Sequence, residues 1–275
     1  MRNNTRTEAK THPCFYSEAK NRYGRIHLPV APDCNIQCAY CRRDYDCIHE
    51  NRPGVTKEIN SPEQALEKFE QTLDKMPYIS VAGIAGPGDA FACPELTLKT
   101  FELIRKTNSQ ISLCVSTNGL NLRDYISDLA DLNVRYVTIT VNSIDPAISA
   151  TVCKWVDRDR RRIYGMEAAA ELIRRQLEAI ELLKSRNFTV KINSVVIPKV
   201  NEYHIAFLAK KMGSMSVDLM NLIPIIPVKG TDMENIRPPD NATLCKLRKT
   251  AGAFVPQMHH CTRCRSDAVG MLENI

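Results

Sequence analysis

Three cysteines fall within eight positions, in the run Cys34-Asn-Ile-Gln-Cys38-Ala-Tyr-Cys41. This C-x3-C-x2-C spacing offers three thiolates to an iron-sulfur cube that has four irons. A [4Fe-4S] cluster bound here keeps one iron without a protein ligand. That iron can take the amino and carboxylate groups of S-adenosylmethionine (SAM), which is the starting point for radical chemistry. Structural zinc fits less well, because it closes a tetrahedron with two paired ligand sets.

A second group of residues suits a bound nucleoside or amino acid. The stretch Ala82-Gly-Ile-Ala-Gly-Pro-Gly-Asp89 follows an expected strand and precedes an expected helix. Gly86 and Gly88 let backbone approach a ligand, and beside Asp89 they suit the methionyl amino group of SAM; a plain tight turn is the simpler alternative. Ser116, Thr117 and Asn118 end the next strand and bring side-chain hydrogen bonds either to a cofactor or to a helix cap. Asn142 and Asn193 are amides on expected strands, where each needs a partner, either SAM or a neighbouring backbone group.

The other cysteines sort by context. Cys47 shares the loop of Cys41, and Cys114 sits in the strand that ends at Ser116, where a small core hydrophobe is the competing reading. Cys261 and Cys264 form a C-x2-C pair that needs partners from elsewhere in the fold, Cys14 among them. Cys93, Cys153 and Cys245 are isolated and read as ordinary thiols. His27 alternates with Ile26 and Leu28, so it points into a barrel if those two meet the surrounding helices. Glu50, near Arg52, is a proton-handling candidate or one half of an ion pair.

The elements that must position these residues alternate. Strands are expected near 26–31, 78–84, 111–116, 135–141, 189–197 and 216–223. Helices are expected from Ser61, whose hydroxyl and Gln64 form a capping box around Pro62, and near 95–107, 122–132, 165–186 and 202–212. Repeated βα units imply a parallel sheet, with the cysteine loop at the carboxyl edge where such sheets bind ligands. The expected fold class is α/β, a partial (β/α)6 barrel over 25–223. It carries an N-terminal extension, 1–24, and a Pro-rich C-terminal extension, 224–275, that folds back over the sheet.

Composition narrows the class. The chain has 275 residues, 44% hydrophobic content and a formal charge of +6, which drops by one for each thiolate that binds metal. No apolar run approaches a membrane span and the N-terminus has no signal core, so a cytoplasmic protein with reduced cysteines is expected. The basic run Arg158-Asp-Arg-Arg-Arg162 reads as a solvated face, and nucleic acid is not the expected partner.

Several runs together resemble the NifB family of nitrogenase cofactor maturases over nearly the whole chain. They include Arg25-Ile-His-Leu-Pro-Val-Ala-Pro32, Cys34-Asn-Ile-Gln-Cys38, Asp44-Tyr-Asp-Cys47, Glu50-Asn-Arg-Pro-Gly-Val55, Ala85-Gly-Pro-Gly-Asp89, Ser116-Thr-Asn-Gly-Leu120 and Asp267-Ala-Val-Gly270. Ala39 and Arg42 depart from the family, which commonly has asparagine there. The resemblance implies a radical-SAM enzyme that fuses two [4Fe-4S] units into an eight-iron nitrogenase cofactor precursor, using a carbide from the SAM methyl group and an added sulfur. It implies three [4Fe-4S] clusters: one on Cys34, Cys38 and Cys41, a nearer substrate cluster on His27, Cys47 and Cys114, and a farther one on Cys14, Cys261 and Cys264. Glu50 would handle protons near the nearer cluster. The implied partners are a low-potential electron donor such as a ferredoxin or flavodoxin, a cluster donor protein, and a separate carrier or scaffold for the product.

Two other readings stand beside it. A radical-SAM enzyme with one auxiliary cluster, acting on an organic or peptide substrate, would have no use for His27, Cys14 and Cys114. An iron-sulfur scaffold or electron carrier would have no use for the glycine loop and Ser116-Thr-Asn118.

Overall fold

The structure, a computed structural model, describes residues 10–47, 59–159 and 161–272. Its elements follow the expected alternation. Strand β1 (Gly24–His27) leads into the cysteine loop, which contains the short strand β2 (Ile36–Cys38). Then come α1 (Pro62–Lys75), β3 (Ile79–Ile84), α2 (Pro94–Thr107), β4 (Ser112–Thr117), α3 (Ile126–Asp131), β5 (Val134–Thr140) and α4 (Pro146–Val152). A hairpin of β6 (Cys153–Arg158) and β7 (Arg161–Tyr164) precedes the long helix α5 (Gly165–Ser185). The chain continues through β8 (Thr189–Val196), α6 (Ile205–Ser214), β9 (Leu219–Pro224), α7 (Asn241–Gly252) and β10 (Val269–Gly270).

Six strands pair in parallel in the order β1-β3-β4-β5-β8-β9, and β10 adds to the outer side of β1 in antiparallel sense. The α/β partial barrel expected from the alternation is therefore the fold observed. Ser61 and Gln64 form the capping box that starts α1, with Pro62 in its first turn. The apolar stripe of α5 is buried at Ala169, Leu172, Ile173, Ile180 and Leu183, as its spacing predicts.

Two local outcomes differ from the sequence reading. The first strand ends at His27 rather than near residue 31, because Pro29 has no N–H to give; Leu28 N makes the last bond across, to Gly83 O at 2.9 Å. The basic segment around Arg158–Arg162 is one end of the β6–β7 hairpin, and β6 pairs with β2 of the cysteine loop in a second, three-stranded sheet. Cys153, read from sequence as isolated, lies opposite Cys38 in that pairing.

The main core fills the space between the sheet and its helices, and Ile26 and Leu28 are fully buried in it. Alternation then sends His27 to the other face, toward the barrel interior.

Candidate functional site: two adjoining cavities

Two cavities occupy the inside of the barrel. The first, about 230 Å³, is bordered by Cys34, Cys38 and Cys41, by Gly88 and Asp89, and by the strand end Ser116–Asn118. The cysteine loop is held from several sides. Cys41 N donates to Cys38 O at 3.1 Å, and Gln37 Nε2 donates to the carbonyls of Cys38 (3.1 Å) and Cys41 (2.8 Å). Arg43 donates to Ile36 O and reaches Cys34 O at 3.5 Å, while its guanidinium lies 5.7 Å from the Trp155 ring of the hairpin.

Asp89 organises the opposite wall. Its carboxylate accepts from Thr117 Oγ1 at 3.0 Å, from Phe91 N at 2.9 Å and from Asn118 N. Burial raises its carboxyl above the usual range, although these donors pull the other way. Asn118 in turn donates from Nδ2 to Asn35 Oδ1 at 2.7 Å and sits 3.7 Å from Cys34 Sγ. Gln176 on α5 donates to the carbonyls of Asn118 (2.7 Å) and Thr140 (2.9 Å), which locks the strand ends to the helix. Gly88 has no substitute: a Cβ there would fall 2.0 Å from Asp33 O. Gly86 has φ 111°, the region that favours glycine, and stands next to Pro87, whose carbonyl accepts from Cys47 N at 2.9 Å.

The second cavity, about 50 Å³, adjoins the first at Ser116, which borders both. It gathers Cys14, His27, Cys114, Cys261 and Cys264, residues spread from one end of the chain to the other. The means of convergence are local. His27, Gly83 and Cys114 stand in register on β1, β3 and β4, and Gly83 leaves room for both neighbours: a Cβ on it would lie 2.7 Å from Cys114 Sγ and 3.6 Å from His27 Cδ2. His27 donates from Nδ1 to Arg265 O at 3.0 Å, since a carbonyl can only accept, so Nε2 is the nitrogen left with a lone pair. The C-terminal segment is tied down by Arg25, which donates to the carbonyls of Gly270 and Met271 and, at 2.8 Å, to Cys264 Sγ.

The expected site residues distribute unevenly. Cys47 borders the first cavity, apart from His27 and Cys114. Asn193 borders the second cavity and its Oδ1 accepts from Asn221 at 3.2 Å. Asn142 borders neither; its amide donates to Tyr40 Oη at 2.9 Å and accepts from Val195 N at 2.9 Å, joining the cysteine loop to β8. Glu50 lies outside the described residues. Sequence reasoning passed over Gly83, Arg43, Gln176, Arg25 and Lys191. Among these, the run Ala82-Gly-Ile was read only as the lead-in to the glycine loop.

The electrostatics suit metal-held thiolates. Burial pushes the thiols of Cys14 and Cys41 up to about 11 and those of Cys34 and Cys38 upward as well. Burial, aided by Arg25, lowers His27 to about 4, which keeps a neutral imidazole at physiological pH. Only a metal makes such thiols thiolates, and its binding releases their protons. Among the described residues no three His, Cys, Asp or Glu groups converge closely enough for one ion. A cube spreads its ligands over separate irons, and three thiols around the larger cavity, with a donor amide beside Cys34, fit that wider arrangement. No helix among the described residues is long and apolar enough to cross a membrane.

Residues 28–212 match a family model described as the radical SAM superfamily. The FeMo cofactor biosynthesis protein NifB of Chlorobaculum tepidum is 47% identical over 97% of this chain and 63% of its own length. That of Klebsiella pneumoniae is 43% identical over 96% of this chain and 58% of its own. The chain thus spans about three fifths of these curated relatives. Among solved structures, Streptococcus suis SuiB superposes with TM-score 0.61 at 13% identity, covering 86% of this chain and 49% of SuiB. The FeFe-hydrogenase maturase HydG of Carboxydothermus hydrogenoformans gives 0.55 at 14% identity, covering 85% of this chain and 52% of HydG. At such identities the likeness is one of fold.

Proposed function

Because the chain belongs to the radical SAM superfamily and is a sequence relative of NifB proteins, we propose that it fuses two [4Fe-4S] units into an eight-iron precursor of a nitrogenase cofactor. The carbide carbon comes from the methyl group of SAM, and one sulfur is added. The observation that carries this reading is the second cavity: five potential ligands from distant parts of the chain, Cys14, His27, Cys114, Cys261 and Cys264, meet one residue away from the cavity of the C-x3-C-x2-C motif. An enzyme for an organic or peptide substrate has no need of that set.

In this reading Cys34, Cys38 and Cys41 hold a [4Fe-4S] cluster, which supplies the electron for SAM cleavage when bound. Asp89 holds Thr117 and Asn118 in place, and Asn118, Ser116 and the backbone at Gly88 line the space for SAM. The second cavity receives the substrate clusters. At about 50 Å³ it has to widen for them, and the loop carrying Cys261 and Cys264, which has no regular secondary structure, is the wall that can part. His27 presents neutral Nε2 as a ligand, oriented by its bond to Arg265 O. Cys47, on the first cavity, stands on the side from which SAM approaches. Few ligands per cluster suit cargo that must leave. An electron donor, a cluster donor and an acceptor for the product complete the proposal.

The test is Cys264→Ala in anaerobically reconstituted protein. SAM cleavage should persist and eight-iron product should vanish. Loss of SAM cleavage itself would move Cys264 to the first cluster and overturn the division.

A further inference from the structure

We infer that Lys191 is the counter-ion of the second cavity, holding there the excess negative charge of a thiolate-bound iron-sulfur cluster. The inference rests on the reading above, which assigns that cavity to clusters, and adds a residue which that reading leaves without a role.

Lys191 stands on β8, only 7% exposed, and borders the cavity that holds Cys14, His27 and Cys264. Among the described residues its ammonium makes neither an ion pair nor a side-chain hydrogen bond, and its one defined contact is the face of the Phe15 ring, 4.8 Å from Nζ to the centroid. An ammonium taken out of water is costly unless a negative charge compensates it. The cavity lining contains no aspartate or glutamate. What it contains is four thiols, which become anions only when metal binds. The same wall has a second cation: Arg25, 5% exposed, donates to Cys264 Sγ, and its Nε has no partner. A pocket with two buried cations, four potential thiolates and no carboxylate is built for an anionic guest. Burial of that guest excludes water and strengthens its attraction to both cations.

The neighbours agree. Lys191 depresses the pKa of His12 and His27 and opposes the rise at Cys14, so its charge reaches the lining from the β8 side. Phe15 and Tyr136 pack against His12 beneath it, at ring-centroid distances of 4.7 and 4.6 Å, so the lysine stem rests on a firm aromatic floor.

The experiment compares wild type, Lys191→Met and Lys191→Arg after anaerobic reconstitution. It measures iron per chain, the rate of iron loss to a chelator and the cluster midpoint potentials. The expected result is that wild type and Lys191→Arg bind more than about four irons, while Lys191→Met keeps only the roughly four of the SAM-binding cluster. Any second-cavity iron that Lys191→Met retains should be lost at least tenfold faster and have a more negative potential. As a check on folding, cluster-free Lys191→Met should melt at a higher temperature than cluster-free wild type, because an uncompensated buried charge is gone. Equal iron, equal loss rates and equal potentials in wild type and Lys191→Met would overturn the inference and leave the cluster-fusing reading intact. About four irons in wild type itself would overturn both. A lower melting temperature for cluster-free Lys191→Met would show that the fold itself pairs the ammonium, and would also overturn the inference.

Discussion

His27 and Cys114 face the same notch from neighbouring sides, with Gly83 between them on the middle strand. The second cavity therefore depends on a residue that brings no functional group. Gly83→Ala would put a methyl 2.7 Å from Cys114 Sγ. Because that sulfur and the sheet around it are packed, the expected cost is about 1–3 kcal/mol of stability. Denaturant titration should record that loss, and iron analysis should record loss of iron beyond the first cluster, with SAM cleavage preserved.

Asp89 satisfies three donors at once, so Asp89→Ala leaves Thr117 Oγ1, Asn118 N and Phe91 N without their acceptor. Each orphaned buried donor costs about 1–3 kcal/mol. Affinity for SAM, measured by equilibrium dialysis on reconstituted protein, should fall by at least about tenfold, which corresponds to 1.4 kcal/mol. Unchanged affinity would remove the strand-end residues from the SAM site.

Arg43 forks across the cysteine loop and stacks toward Trp155. A lysine keeps the charge but not the planar fork. Arg43→Lys should hold the first cluster less firmly, and absorbance decay in air should show bleaching several-fold faster than wild type.

Acid should destabilise the cluster-free protein through its buried imidazoles. His27 is lowered to about 4 and His12 is also well below the usual 6.5. Below pH 6.5 the unfolded chain takes up protons that the native state refuses, so stability is full above that pH and is lost progressively down to about pH 4. The slope approaches about 1.4 kcal/mol per pH unit for each imidazole. Urea midpoints at pH 7 and pH 5 should show the loss, and His27→Asn should reduce it.

The alternation of β and α segments could be read from local signals, because caps, prolines and apolar stripes act within a few residues. Ser61, Pro62 and Gln64 start α1 on such terms. The side of the sheet to which His27 points followed from the burial of Ile26 and Leu28, again a local rule. What could not be read depends on distant pairing. The β6–β7 hairpin exists because β6 finds β2, more than a hundred positions earlier, and its charged residues concealed that pairing. Asn142 looked like a cofactor residue because a strand amide needs a partner; that partner is Tyr40, which only the folded cysteine loop brings within reach. Lys191 and Arg25 are ordinary basic residues in sequence, and only their burial sets them apart.

The two-residue strand β10 joins the end of the described chain to its first strand, and Arg25 reaches Gly270 across 245 positions. Contacts so far apart in sequence carry a high contact order and form late in folding. A strand of two residues also has few bonds to break, so this edge belongs to the part of the protein that opens locally at least cost. Cys261 and Cys264 ride on the segment just before it. The second cavity is consequently assembled last and opened first, which gives a bulky inorganic guest a route in and out while the parallel sheet stays folded.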